Sequence, residues 1–207
     1  MSVPPASELF RPGLLDGQVV AVVCGGPLAG ASVEACAELG AEVVALGPGA
    51  DPDGALDPLD EAGVTAALAE AAARHGGLHA VVVDAAGLFA APPPGLDPLR
   101  AAVDAGWIAA RAAATAAMID APDGGKLVLV SPAPGAGTHA QATRAALENL
   151  ARTLSIEWAR HGIRIAAIAP DSETTPAEVA GLVAYLASPA GDYFSGCLFS
   201  LSSIDNS

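Results

Sequence analysis

Short apolar runs rich in β-branched residues recur along the chain, and turn-forming residues bound each of them. The run Gln18–Cys24 is the clearest, because it is unbroken by a charge before the turn Gly25-Gly26-Pro27. Uninterrupted apolar runs of this length are typical of strands buried on both faces of a sheet. The same reading predicts further strands at Glu42–Leu46, His79–Val83, Lys126–Ser131, Ile163–Ile168 and Cys197–Leu201.

Alanine-rich stretches of helical length lie between these runs. They predict helices at Ala31–Leu39, Glu61–His75, Pro98–Ile119, Ala140–Arg160 and Pro176–Ala187. Strands that alternate with helices from end to end predict an α/β fold, a Rossmann-like doubly wound parallel sheet with helices on both faces. Gly, Pro and Asp make Gly47–Asp60 a predicted loop, with room for a short strand near Leu56. Residues 1–13 form an N-terminal arm, and residues 14–207 form a single domain.

Composition limits the functions open to such a chain. Its 207 residues suit one α/β domain, 52% of them are hydrophobic, and the formal net charge is −14. That charge argues against nucleic acid or an anionic membrane as a partner, since phosphates would be repelled. No stretch has the length and apolarity of a membrane span, and the cysteines form no CxxC pair, so we expect a soluble cytoplasmic protein with reduced thiols.

From Leu14 to Ser203 the sequence resembles the short-chain dehydrogenase/reductase family. Asp84-Ala85-Ala86-Gly87 stands where that family has Asn-Asn-Ala-Gly, and His75-Gly76-Gly77-Leu78 is similar to its approach to the preceding strand. The most specific match runs from Arg144-Ala145-Ala146-Leu147-Glu148-Asn149-Leu150 to His161-Gly162-Ile163-Arg164, which resembles the active-site helix and the start of the strand after it. The order and spacing of these motifs carry the resemblance.

The resemblance also implies a catalytic trio that this chain lacks. In the family a tyrosine exchanges the proton, a lysine four residues later lowers its pKa, and a serine binds the substrate oxygen. Here Pro132, Ala140 and Arg144 occupy the serine, tyrosine and lysine positions. The only tyrosines and lysine of the chain, Tyr185, Tyr193 and Lys126, are not spaced as Tyr-x-x-x-Lys. A register shift that brings Ser131 into the serine position remains open, but Ala140 offers no proton.

The nucleotide-binding turn of the family, Thr-Gly-x-x-x-Gly-x-Gly, is eroded as well. Alignment from Cys24 keeps Gly25, followed by Gly26, and puts Ala29 and Ala31 at the other two glycine positions. Pro27 removes an amide that could face a phosphate. Leu46-Gly47-Pro48 carries neither an acid for a ribose hydroxyl nor an arginine for a 2′-phosphate, and Asp171–Thr175 is too short for the family's substrate lid. We therefore expect no catalytic residue and no bound NAD or NADP in this chain.

Other chemistry finds little support in the sequence. His139 and Asp84 could form a substitute acid–base pair, although a histidine at a helix start is more often a surface or capping residue. His75, His79 and His161 lack metal-ligand spacing, so no metal site is expected. Ser131 lies outside any Gly-x-Ser-x-Gly elbow, which argues against a hydrolase.

The leading functional hypothesis is a catalytically inactive subunit that completes an active dehydrogenase of the same fold, for example one that oxidises hydroxyacyl thioesters. Such a partner would carry the NAD or NADP, and contact would run through the helices at 98–119 and 140–160, which the family uses for assembly. A monomer would expose part of the apolar run Ala112–Ile119 to water, which favours a buried contact. Two alternatives stay open: an oxidoreductase with a remodelled site, and a homo-oligomeric binding protein with a vestigial nucleotide cleft.

Overall fold

The computed structural model describes residues 4–23, 25–47 and 56–202. Its strands form one six-stranded sheet in the order β2-β1-β3-β4-β5-β6, and every neighbouring pair is parallel. The strands are β1 Val19–Val23, β2 Glu42–Leu46, β3 Ala80–Asp84, β4 Gly125–Val130, β5 Ile163–Pro170 and β6 Cys197–Leu201. The predicted doubly wound α/β fold is confirmed.

Helices cover both faces of this sheet. They are α1 Ala6–Leu9, α2 Pro27–Glu38, α3 Glu61–His75, α4 Ala85–Ala90, α5 Pro98–Ala113, α6 Ala140–Glu157 and α7 Pro176–Ala187. Helices α1, α2 and α7 pack on one face, and α3 to α6 pack on the other. Alternate residues of β1 enter the two cores: Val19, Ala21 and Val23 face one, and Val20 and Val22 face the other. The period-two alternation of strand side chains produces this division.

The central strands are buried on both faces, as their apolar runs predict, but the two outer strands are not. All residues of β1, β3 and β4 are buried, whereas β2 and β6 alternate between exposed and half-buried positions. Within the described residues, β2 pairs only with β1 and β6 pairs only with β5. The prediction of β2 as a buried strand was therefore wrong, because burial depends on position in the sheet and not on the run alone.

Several boundaries differ from the predicted ones. Helix α2 begins at Pro27, four residues earlier than expected, because proline is favoured at the first helical position. The short helix α4 was not predicted. The predicted arm contains the short helix α1, which packs on α7 and buries Ala6. Cys24, residues 48–55 of the predicted loop, and Ser203 lie outside the described residues, and Leu56 belongs to no strand.

The helix expected at 98–119 consists of two parts. The α-helix α5 ends at Ala113, and Ala114–Met118 continue as a single π-helical turn. Ala112, Ala113, Ala114 and Met118 are buried in the chain's own core. The expected exposure of part of this run is found at Thr115, but not at these four residues, so their apolarity requires no partner.

Across the described ranges, no helix is both long enough and apolar enough to cross a membrane.

Candidate functional site

The crevice at the carboxyl ends of β1 and β3 is where a doubly wound sheet binds nucleotides, because the chain reverses its winding direction there. Strands β1 and β3 are adjacent, and the helices that follow them pack on opposite faces of the sheet. The turn after β1 and the start of α4 therefore meet at this point. Both segments carry residues that the sequence analysis placed at the cofactor site.

The turn after β1 is short. Residues 24–26 alone separate the end of β1 at Val23 from the start of α2 at Pro27. Ala29 and Ala31, which occupy glycine positions of the family pattern, lie inside α2. The segment that would form a glycine-rich loop is thus helical, and its proline contributes no amide to the helix N-terminus.

The side chain of Asp84 fills the space next to this helix N-terminus. Asp84 is the last residue of β3 and is 1% exposed. Its Oδ2 accepts a hydrogen bond from the Ala29 amide at 3.0 Å, and its Oδ1 accepts one from the Gly87 amide at 2.9 Å. One carboxylate therefore caps both α2 and α4. It supplies the negative charge that a helix N-terminus favours and that a bound phosphate supplies elsewhere.

Burial raises the pKa of Asp84 above its ordinary value, and the amides of Gly87, Ala29 and Ala86 oppose that rise. Desolvation is the larger effect, because the carboxylate is enclosed by the turn and by α4. A second anion brought to this place would meet a buried carboxyl group and an amide that is already used.

Glycines hold the two segments in close contact. A Cβ on Gly87 would lie 2.1 Å from the Gly25 carbonyl oxygen, and one on Gly26 would lie 3.1 Å from Asp84 Oδ2. Gly26 also has a φ of 144°, which residues with a side chain rarely adopt. Gly25 and Gly26, predicted as an eroded cofactor turn, therefore pack tightly against α4.

The three positions of the catalytic trio lie together at the ends of β4 and β5. Ala140 is 1% exposed at the first position of α6, and Pro132 is buried just after β4. Arg144 Nη1 donates to the carbonyl oxygens of Pro132 at 2.9 Å and of Pro170 at 2.5 Å. The guanidinium thus joins the ends of two strands, where the family's lysine would tune a tyrosine.

The environment of Arg144 favours a structural role. Burial lowers its pKa, and the negative charge of Asp171 opposes that effect. An arginine remains protonated despite such a shift, so this side chain cannot act as a general base.

The substitute groups suggested by the sequence are not arranged for catalysis. Ser131 is 1% exposed, and its hydroxyl donates to the Ile168 carbonyl at 2.9 Å. His139 is exposed and has a φ of 70°, whereas both carboxylate oxygens of Asp84 accept backbone amides. The structure gives no support to a His139–Asp84 pair or to a Ser131 that faces a substrate.

The single lysine and the two tyrosines belong to other elements than the three trio positions. Lys126 lies near the amino-terminal end of β4, whereas the trio positions lie at the carboxyl ends of the strands. Its Nζ binds the carbonyls of Ala187 and Ser188 and the carboxylate of Asp192. Tyr185 lies in α7, and Tyr193 ends a short 3₁₀ turn.

The histidines predicted not to bind metal have structural partners. His79 Nδ1 accepts the Val19 amide at 3.0 Å, and His75 pairs with Glu42. In the described part of the chain, no group of three His, Cys, Asp or Glu residues is placed to hold a metal ion.

Sequence reasoning missed the double cap made by Asp84 and the short helix α4. An aspartate directly before two alanines is an N-cap signal for α4. The bond to Ala29 had no comparable signal, because it joins residues 55 positions apart.

No protein-family model matches the sequence. Solved structures match nearly the whole chain. The citronellol catabolism dehydrogenase AtuB of Pseudomonas aeruginosa superposes with a TM-score of 0.75 at 24% identity, covering 93% of this chain and 96% of that one. A hydroxysteroid dehydrogenase of Escherichia coli gives a TM-score of 0.74 at 19% identity, with 92% and 98% coverage. A short-chain dehydrogenase/reductase of Serratia marcescens gives 0.70 at 22% identity, with 90% and 97% coverage.

This chain has the short-chain dehydrogenase/reductase fold. A tropinone reductase homologue of Arabidopsis thaliana is 37% identical over 26% of this chain and 31% of that protein. The matched part thus spans about a third of that relative's length. Sequence similarity reinforces the likeness to oxidoreductases of this fold over that part only.

Proposed function

We propose that the chain is a catalytically inactive member of the short-chain dehydrogenase/reductase family that serves as a subunit beside an intact homologue. The observation that carries this proposal is the state of the nucleotide crevice. The Asp84 carboxylate, 1% exposed, already binds the amide of Ala29 in the first turn of α2. The helix end that would receive a pyrophosphate is bonded to the chain's own side chain.

The catalytic positions support the same proposal. Ala140 has no proton to transfer, and Arg144 is engaged by the carbonyls of Pro132 and Pro170. Proton transfer needs a titrating group within hydrogen-bond reach of the substrate, together with a cofactor held in line. NAD or NADP, on this proposal, belongs to the partner subunit.

A groove between α5 and α6 supports the partner part of the proposal. This α5–α6 groove has a volume of about 780 Å³, and the residues that line it include Val103, Trp107, Ala146, Leu150, Thr153 and Trp158. Trp107 is 41% exposed, and Ile156 on α6 is 80% exposed. An exposed tryptophan in an unfilled apolar groove is typical of an interface.

The charge around the groove also suits another subunit. Two of the charged residues that line it form ion pairs, Arg111 with Glu61 and Asp104 with Arg100, and Glu157 is the third charged lining residue. The chain as a whole carries a net charge of −14. A face on which arginines offset most carboxylates can meet a second acidic protein with less repulsion than the rest of the surface would cause.

Cofactor titration tests the inactive part of the proposal. We expect no saturable binding of NADH or NADPH to the purified chain by calorimetry, and no turnover on a panel of ketones and alcohols. As the control, the same titration of a complex with the intact partner should give one cofactor per partner subunit. Low-micromolar binding to the chain alone, or measurable turnover without a partner, would contradict the proposal.

A further inference from the structure

A second groove opens on the other face of the sheet, between the N-terminal arm, α7 and the end of β6. This acidic groove has a volume of about 530 Å³, and its lining includes Phe10, Glu173, Glu178, Leu182, Tyr185 and Leu201. Helices α1 and α7 belong to the core on the face opposite α5 and α6. A partner seated on the α5–α6 groove would therefore leave the acidic groove accessible.

The floor of the acidic groove is aromatic and aliphatic. Phe10 and Tyr185 line it and stack with ring centroids 6.2 Å apart. Outside the lining, Tyr185 packs against Phe194 at 6.1 Å, and Phe194 packs against Phe199 at 5.3 Å. Aromatic residues make up only 4% of the chain, so their concentration here is local. Leu182 and Leu201 are half-buried beside them, and covering such a floor releases ordered water.

The rim of this groove is negative. Asp171, Glu173 and Glu178 line it, and none of the lining residues is a lysine or arginine. Glu178 also closes a capping box with Thr175 at the start of α7, which fixes one carboxylate at the rim. Glu173 is exposed at the bend before that helix. The fixed geometry places negative charge beside an apolar floor.

We propose that the acidic groove binds a basic amphipathic segment of a partner protein, with apolar side chains on the aromatic floor and lysines or arginines against the rim. Charge complementarity selects this occupant over a second copy, because each copy carries a net charge of −14. The chain's own terminal residues 203–207 are a poor occupant, since Asp205 is their only charged side chain. The proposal is independent of the proposed loss of catalysis.

Fluorescence anisotropy with a short labelled leucine–lysine amphipathic peptide tests the proposal on the full chain. We expect saturable binding, and none by the matched leucine–glutamate peptide. Glu173→Gln should weaken binding several-fold, because it removes a rim charge without touching the α7 capping box. Asp120→Asn removes one negative charge from an exposed turn outside the groove and should leave binding unchanged. Leu182→Ser, which removes an apolar contact, should also weaken it.

Hydrogen exchange with the peptide bound should protect α7 and the residues from 171 to 175. Equal weakening by Glu173→Gln and Asp120→Asn would show attraction by net charge alone and would overturn the proposal. Protection confined to α5 and α6, or no saturable binding, would overturn it as well. If self-association of the chain without peptide protects the acidic groove from hydrogen exchange, its occupant is a second copy, and the proposal is overturned.

Discussion

At the scale of single residues, Asp84 accepts hydrogen bonds from the first turns of two helices. A helix N-terminus has amides that lack partners within the helix, and in nucleotide-binding folds a phosphate can accept from them. Here Asp84 accepts from Ala29 in α2 and from Gly87 in α4, so one side chain fixes two helices to the end of β3. On the proposed function, the same bonds that stabilise the crevice reduce its capacity for a nucleotide.

Asp84→Asn should change how stability depends on pH. Because burial raises the pKa of Asp84 in the folded state above its ordinary 3.8, its titration contributes stability that is fully present below that value. The contribution is lost as pH rises through the folded pKa, and the loss is about 1.4 kcal/mol for each pH unit that separates the folded pKa from the unfolded one. Asparagine does not titrate. The difference in unfolding free energy between the variant and the wild type should therefore shift in the variant's favour as pH rises through this window.

Urea unfolding at a series of pH values measures that difference. The exposed Asp120→Asn serves as the control and should show no comparable trend. A constant difference between wild type and Asp84→Asn, or one that moves in the wild type's favour as pH rises, would contradict the assignment of a raised pKa.

At the scale of elements, local pattern predicted which segments are strands and helices, and long-range contact decided the rest. The runs at β1, β3 and β4 predicted buried strands, and the structure confirms their burial. The same reasoning failed for β2, because membership of an edge depends on strand order. It also failed for Ala112–Ala114, whose burial depends on the helices packed around them.

For the candidate site, the resemblance identified the positions of the trio and the turn. The hydrogen-bond partners of Asp84 and Arg144 could not be predicted from the sequence. Arg144 binds carbonyls 12 and 26 positions away in the sequence. Periodicity carries no information on contacts at that separation. The start of α2 was predicted four residues too late for a simpler reason, since Pro27 already indicated a helix start.

Two helical glycines provide a test of packing at this scale. Gly30 in α2 is exposed, and a Cβ there would meet nothing within 4 Å. Gly106 in α5 faces α6, and its Cβ would lie 2.9 Å from Leu147 Cδ2. Gly30→Ala should therefore raise the unfolding free energy by about 0.5–1 kcal/mol through helix propensity.

Gly106→Ala should raise the unfolding free energy by less than Gly30→Ala does, or should lower it. The reason is that Leu147 is fully buried and must shift to admit the methyl group. Chemical denaturation of both variants gives the comparison. An equal gain at the two positions would mean that α5 and α6 have room between them, which would contradict the tight contact at Gly106.

At the scale of the whole molecule, the two grooves differ in charge and lie on opposite faces of the sheet. Two ion pairs include residues of the α5–α6 groove, and the acidic groove is rimmed by carboxylates. A chain with a net charge of −14 can contact a similar acidic subunit best where its own charges are balanced. The proposed subunit contact and the proposed segment contact therefore need not compete.

Ala146→Glu should disrupt assembly if the α5–α6 groove is the subunit contact. Ala146 is half-exposed on α6 and lines that groove, so the variant chain can fold but would bury an unpaired carboxylate against a partner. Such burial costs about 3 kcal/mol or more, roughly a hundredfold or greater loss of affinity. Ala66→Glu, an equal charge change on the exposed surface of α3, is the matched control. Ala113 is unsuitable for this purpose, because it is buried in the chain's own core and a charge there would test folding.

Native mass spectrometry of the untagged assembly, purified from its own cells, measures the result. We expect the wild type and Ala66→Glu to co-purify with a homologue that carries Tyr-x-x-x-Lys, and Ala146→Glu to elute without it. Because the substitution lies outside the nucleotide crevice and the acidic groove, its effect reports on the α5–α6 contact alone. If the assembly contains only copies of this chain, the α5–α6 groove remains the proposed contact surface, but the mixed complex is contradicted. A monodisperse wild-type monomer, or a mixed complex that tolerates Ala146→Glu, would reject this groove as the subunit contact.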